Sequence, residues 1–317
     1  MTKKIIIAVF LICASVSAST AFAASTSISI ATGGTSGTYY PIGGAIASAV
    51  SKHPDLNATA ETGNAAVANT NLVAEGELEI AFSQADVTAW AYNGEVIFEG
   101  KPLKNIRTIA ALYPETVHLV VSKESGIKTL EDLKGKKVGV GAPGSGTEGD
   151  ARAILGTAGI KYDEMSVEFL DFGGVSSRFK DNQIDAGFVV AGVPASALMD
   201  LTTTKDVNIL NLDKGTLDSL IAANPFFVAN VIPAGTYRGI DADVSTPAVM
   251  ALLITSEEVP EDVIYNFTKA LFENIGDVQA SHAMARNINL ENATSGLTAP
   301  LHNGAAKYYR EAGVKID

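Results

Sequence analysis

Hydrophobic positions switch repeatedly between a period of two and a period near 3.6. Ser27-Ile28-Ser29-Ile30 alternates polar and apolar, which predicts a strand. Ile42, Ala45, Ile46, Ala49 and Val50 recur at i, i+3, i+4, i+7 and i+8, the apolar face of a helix. Between them runs a loop with Gly33, Gly34 and Gly37 among Thr35, Ser36 and Thr38. Pro41 suits the first helical turn, where its missing N–H costs nothing. Further strands are predicted at 56–61, 78–82 and 106–112, with helices at 65–74 and 86–92. Tyr113-Pro114-Glu115 breaks the pattern, and a β-prone run resumes at 117–122. Strands follow at 136–141, 167–170, 185–190, 207–210, 226–232 and 248–255, with helices at 151–158, 175–180, 261–272 and 302–312. Gly173-Gly174 reads as a turn. Such alternation predicts an α/β fold with a mostly parallel sheet.

In such sheets ligands sit beyond the carboxyl ends of the strands. Thr35, Ser36, Asn64 and Gln84 fall at three successive strand exits. Ala142-Pro-Gly-Ser-Gly-Thr-Glu-Gly149 is a second Gly/Ser/Thr loop running into a helix. Gly141 and Gly146 have the spacing of a P-loop, but Thr147 stands where its lysine belongs, so that phosphate chemistry is absent. What remains at each loop is a helix start with free backbone N–H groups and hydroxyls, suited to a carboxylate or a phosphate.

Composition changes the picture at the N-terminus. Lys3 and Lys4, an apolar run over 5–16 and Ala21-Phe22-Ala23 predict a secretory leader over residues 1–23, and hence a periplasmic protein. Cys13 lies inside it, so the mature chain, starting near Ala24, has no disulfide and rests on its core. About 290 residues suffice for two domains. Losing Lys3 and Lys4 moves the formal charge from −12 to −14. A chain this acidic is a poor partner for nucleic acid or an anionic membrane, and an anionic ligand needs local donors. His53, His118, His282 and His302 are scattered without metal-ligand spacing, and Gly144-Ser145-Gly146 is no nucleophile elbow. Neither an enzyme, a metal nor a cofactor is expected.

ATGGTSGTYYPIGGAIA, FSQAD, ALYPETVHLVV, TLEDLKGKKVGVGAPGSGTE, QIDAGFVVAGVP and IPAGTY occur in this order. Together they resemble the TAXI family, extracytoplasmic solute receptors of one branch of TRAP transporters, over essentially the whole mature chain. The resemblance implies a two-lobed periplasmic-binding-protein fold of type II character, its lobes joined by crossings near 113–121 and 226–232. Lobe I then takes 24–112 plus 231–317, and lobe II 113–230. It implies a monomeric receptor for a small organic anion, such as glutamate, 2-oxoglutarate or a related dicarboxylate, that delivers its ligand to TRAP-type membrane subunits. An ABC-type receptor for phosphate or another inorganic anion is the alternative. The expected ligand residues are Thr35, Ser36, Tyr39, Asn64, Gln84, Arg107, Tyr113, Ser145, Gly146, Thr147, Gly174, Gly192 and Tyr237. Arg107 is the first cation to consider for a carboxylate, with Arg152 and Arg178 behind it. An amino-acid ligand would also need an acceptor for its ammonium, for which Glu61, Asp86, Glu115 and Glu148 are candidates by position.

Overall fold

The computed structural model describes residues 25–63 and 65–316, so the leader and Asn64 lie outside the described residues. In chain order the elements are β1 (Thr26–Ala31), α1 (Tyr39–Val50), β2 (Leu56–Glu61), α2 (Ala66–Ala74), β3 (Ile80–Gln84), α3 (Ala85–Asn93) and β4 (Ile106–Ser122). Next come β5 (Lys137–Gly139), α4 (Gly146–Thr157), β6 (Ser166–Glu168), α5 (Phe172–Lys180), β7 (Ala186–Ala191), α6 (Ser196–Thr204) and β8 (Val207–Ile209). The chain ends with α7 (Lys214–Ala223), β9 (Val228–Ile232), β10 (Val244–Ser256), α8 (Glu261–Glu273), α9 (Ile275–Ser281) and α10 (Asn303–Glu311).

The strands form one mixed sheet in the order β2-β1-β3-β10-β4-β7-β5-β6, with β8 on β4 and β9 on β10. Its two ends are parallel, β1 with β2 and β3, and β5 with β6 and β7. Its centre is antiparallel, β10 against β3 and β4, and β4 against β7. The alternating strand–helix pattern thus yields parallel pairing on both sides of an antiparallel seam.

Two strands at the seam differ from the sequence expectation. β4 runs unbroken for 17 residues through Tyr113-Pro114-Glu115. Proline lacks the ladder N–H and is tolerated in a sheet where pairing is irregular, and the β10 register shifts between Met250 and Leu252, beside Pro114. The second long strand is β10, whereas β9, in the region expected to cross, pairs with β10 alone.

Apolar residues gather on either side of Pro114. Ile109, Leu112 and Tyr113 of β4 pack with Ile30, Ile42, Phe82, Leu253, Phe267 and Tyr309. Val117, Leu119 and Val121 pack with Val138, Leu155, Phe188, Leu217 and Phe227. Ile232, Tyr237, Ile240 and Val244 join Val189 and Leu198, so the chain rejoins the first cluster at Ala251 in β10 rather than at Val231.

Gly304 marks how tightly the C-terminal helices meet. A Cβ there would lie 2.2 Å from Glu261 O and 2.6 Å from Tyr265 N, both backbone atoms of α8. Gly304→Ala must push α10 off α8, and overpacking of this kind costs about 2–3 kcal/mol. Urea unfolding should show a lower midpoint at unchanged slope; an unchanged midpoint would mean that the helices separate without cost.

Candidate ligand cavity

A cavity of about 800 Å³, open solvent at its mouth included, lies where five helices begin. Gly33, Gly34, Ser36, Gly37, Thr38 and Tyr39 bring the start of α1 to it, and Gly63 and Ala65 the start of α2. Gln84 stands just before α3, Ser145, Gly146 and Thr147 open α4, and Asp171 and Phe172 open α5. The first backbone N–H groups of any helix have no partner inside the helix. Ser145 Oγ accepts from Glu148 N, and Asp171 Oδ1 from Gly174 N, which leaves Gly146 and Thr147 N–H without an acceptor among the described residues. α1, α2 and α3 have no side-chain cap. Ala65 holds φ 65°, a conformation that costs a non-glycine residue energy and that recurs where backbone is shaped around a ligand.

Four hydrogen bonds of 3.1 Å tie the two sides of the cavity together. Ala68 N donates to Gly144 O, Gly192 N to Thr38 Oγ1, Ser196 Oγ to Ser36 O, and Gln84 Nε2 to Asp150 Oδ2. α4 lies close enough for this because its facing positions carry no side chain. A Cβ on Gly146 would sit 1.3 Å from Gln84 Oε1, and one on Gly149 2.9 Å from the Trp90 ring.

Among the described residues the wall carries acids and no base. Glu115 Oε2 is 2.7 Å from Tyr39 Oη, and Asp171 stands opposite at the start of α5. No Lys, Arg or His lines the cavity among the described residues. Behind the wall, Asp86 of α3 and Asp150 of α4 are fully buried, and both Asp86 oxygens and Asp150 Oδ1 lack a partner among the described residues. Burial pushes Asp150 well above the carboxylate range, and Asp86 beside it adds to the rise. Burial likewise raises Asp86. Glu115 is raised well above its usual value by burial; the Tyr39 hydrogen bond opposes the rise and Asp86 adds to it.

Of the residues expected from sequence, Ser36, Tyr39, Gln84, Ser145, Gly146 and Thr147 meet at this cavity. Asn64 lies outside the described residues, and the remaining expected residues do not line the cavity. Thr35 is exposed on the loop outside. Arg107 donates to Glu257, Lys104 O and Ile106 O at the beginning of β4, so its charge is already matched there. Arg152 pairs with Glu148, and Arg178 with Glu168. Tyr113 is fully buried in the first apolar cluster. Gly174 spends its N–H on the Asp171 cap, and Gly192 on Thr38. Tyr237 accepts from Ala195 N and pairs with His118 Nε2 in the core. Burial lowers His118 to about 4, which leaves it neutral and structural. Sequence reasoning missed Ala65, Asp171 and Phe172. Asp171 three residues before Gly174 is an N-cap signal, and Gly173-Gly174 belongs to the first turn of α5 rather than to a loop.

A mixed sheet of two parallel wings, flanked by helices whose starts meet at one cavity, defines the periplasmic-binding-protein fold. Residues 30–313 match the NMT1-like family, and the chain belongs to it. A binding protein of Brucella abortus (strain 2308) is 46% identical over 68 residues, and the match spans 21% of this chain and 20% of that relative. Among solved structures, PhnD1 of Prochlorococcus marinus (MIT 9301) in complex with methylphosphonate shares 12% identity at a TM-score of 0.54, covering 90% of this chain and 98% of that one. A protein of Bordetella bronchiseptica RB50 shares 18% identity at 0.53, covering 92% and 90%. The ligand-binding component of an ABC-type import system from Staphylococcus aureus, with zinc bound, shares 12% at 0.51, covering 90% and 98%. These likenesses establish the fold alone.

The buried acids give a testable pH dependence. A carboxyl raised above its unfolded value favours the folded state at low pH, and that contribution is lost as pH rises through the folded value. Asp150→Asn removes a group that must otherwise stay protonated or be buried charged. The variant should be more stable than the native chain at pH 8 and match it near pH 4, in urea melts at both pH values. A variant less stable at pH 8 would mean that Asp150 is ionised and paired.

Proposed function

We propose that this protein is an extracytoplasmic solute receptor of the TAXI type. It takes a small organic carboxylate, such as glutamate, 2-oxoglutarate or a related dicarboxylate, and delivers it to the membrane subunits of a TRAP-type transporter. The observation that carries this reading is the convergence of five helix starts on one cavity whose described wall has no cationic side chain. An anion there is held by backbone N–H groups and helix dipoles, with Ser36, Thr38, Ser145 and Thr147 as nearby hydroxyls. α1 and α4 open onto the cavity from the two apolar clusters, which provides separate anchor points for two carboxylates.

In this reading the clusters are the cores of two lobes joined by β4 and β10. The four hydrogen bonds across the cavity belong to the closed arrangement. A ligand favours closure only by binding the closed form better, and about 5.5 kcal/mol of difference swings the population from nearly all open to nearly all closed. In the same reading the receptor is a monomer exported to the periplasm by its predicted leader, and its closed surface meets the membrane subunits.

Thermal unfolding of the mature chain, refolded to strip carried-over ligand, tests the ligand class. The trials are glutamate, glutamine, 2-oxoglutarate, succinate, fumarate, phosphate and methylphosphonate. At 100 times Kd a true ligand adds about 2.7 kcal/mol, a shift of several degrees. A rise with an organic carboxylate is expected. A rise with phosphate or methylphosphonate alone would overturn the reading in favour of an ABC-type inorganic-anion receptor.

A further inference from the structure

Tyr39 Oη lies 3.1 Å from Ser83 O and 2.7 Å from Glu115 Oε2. A phenol has one proton to donate, and the Ser83 carbonyl can only accept. Tyr39 donating to an ionised Glu115 leaves the Ser83 O contact without a proton; both contacts are met at once when Tyr39 donates to Ser83 O and a neutral Glu115 donates from Oε2 to Tyr39 Oη. The surroundings favour the neutral acid. Tyr39 of α1, which touches Glu115, and Tyr113 of its own strand, Asp86 of α3 and Asp150 of α4 all lie near enough to act on its charge. Its β10 partner Val249 is uncharged, and Asp171 of α5 shares the cavity wall. No basic side chain bridges to it among the described residues, and burial raises its pKa. Glu115 lines the cavity, and among the described residues nothing donates to its Oε1.

We propose that Glu115 is the specificity-determining residue of the cavity: it selects an organic anion that also carries a primary ammonium, and it releases its own proton as that ammonium docks. The inference rests on the carboxylate-receptor reading and narrows it. The step balances. The neutral acid and the ammonium become a carboxylate–ammonium pair, and one proton leaves to solvent. Tyr39 then donates its proton to the carboxylate. The ammonium brings the positive charge that the described wall lacks. A ligand with only acceptors at this position meets the Glu115 oxygen lone pair to lone pair, an unpaired polar contact that a dry site penalises. Because binding releases a proton, affinity for the ammonium ligand rises tenfold per pH unit while Glu115 is protonated in the free receptor.

Isothermal titration calorimetry at pH 7, in two buffers of different ionisation enthalpy, reads both affinity and proton count. L-Glutamate and L-glutamine are compared with 2-oxoglutarate and glutarate, which lack the ammonium, on the native chain and on Glu115→Gln. At least one amino acid should bind tenfold or more tighter than its counterparts and release about one proton. Glu115→Gln should abolish the release and cut the preference at least tenfold. Tighter or equal binding of 2-oxoglutarate or glutarate, or amino-acid binding without proton release, overturns the inference and leaves the carboxylate receptor standing. Failure of all four to bind overturns that reading, and the inference with it. The native chain alone decides the matter if Glu115→Gln does not fold.

Discussion

The antiparallel pairing of β4 with β10 is the constraint on which the rest of the structure hangs. Both strands are long, 17 and 13 residues. β4 feeds one apolar cluster before Pro114 and another after it. A strand shared by two cores fixes where they meet, and the cavity lies at that meeting. Glu115, the residue after Pro114, lines that cavity. The same strand carries Arg107 eight residues earlier, roughly 26 Å away at the usual strand rise. That length separates the acid in the wall from the nearest arginine on its strand.

In the proposed reading this geometry makes an anion site whose described wall carries no cationic side chain. Helix starts supply unpaired N–H groups, and Gly146 and Gly149 let α4 come close enough to α3 to aim them into one space. The carboxyls behind the wall cannot all be ionised in so dry a place with no base beside them among the described residues, so protons take the part that lysine or arginine plays elsewhere. A lysine in the wall would grip any anion. Backbone donors with one acceptor are more selective about which atoms a ligand presents.

Much of this was legible in the sequence, for physical reasons. Period-two and period-3.6 patterns separated most strands from helices, and the two Gly/Ser/Thr loops announced the helix starts that now face the cavity. Ser36, Tyr39, Gln84 and the Ser145–Thr147 run came from that logic. What failed were inferences needing register or direction. Pro114 read as a break because a sequence does not show the shift in β10 that accommodates it. Gly173-Gly174 read as a turn because the cap that makes it helical is Asp171. Arg107 looked close to the crossing in sequence, but strand direction carries it to the other end, where Glu257 holds it. Tyr237, expected beside a ligand, pairs instead with His118 in the core.

The central claim is that backbone N–H groups at several helix starts, rather than an arginine, hold the ligand. Amide hydrogen exchange with and without saturating ligand measures this directly. The account predicts that protection concentrates at the starts of α1, α2, α4 and α5, around residues 34–40, 65–68, 144–148 and 171–174, with little change around Arg107, Arg152 or Arg178. Protection centred on an arginine, with those helix starts unchanged, would contradict it.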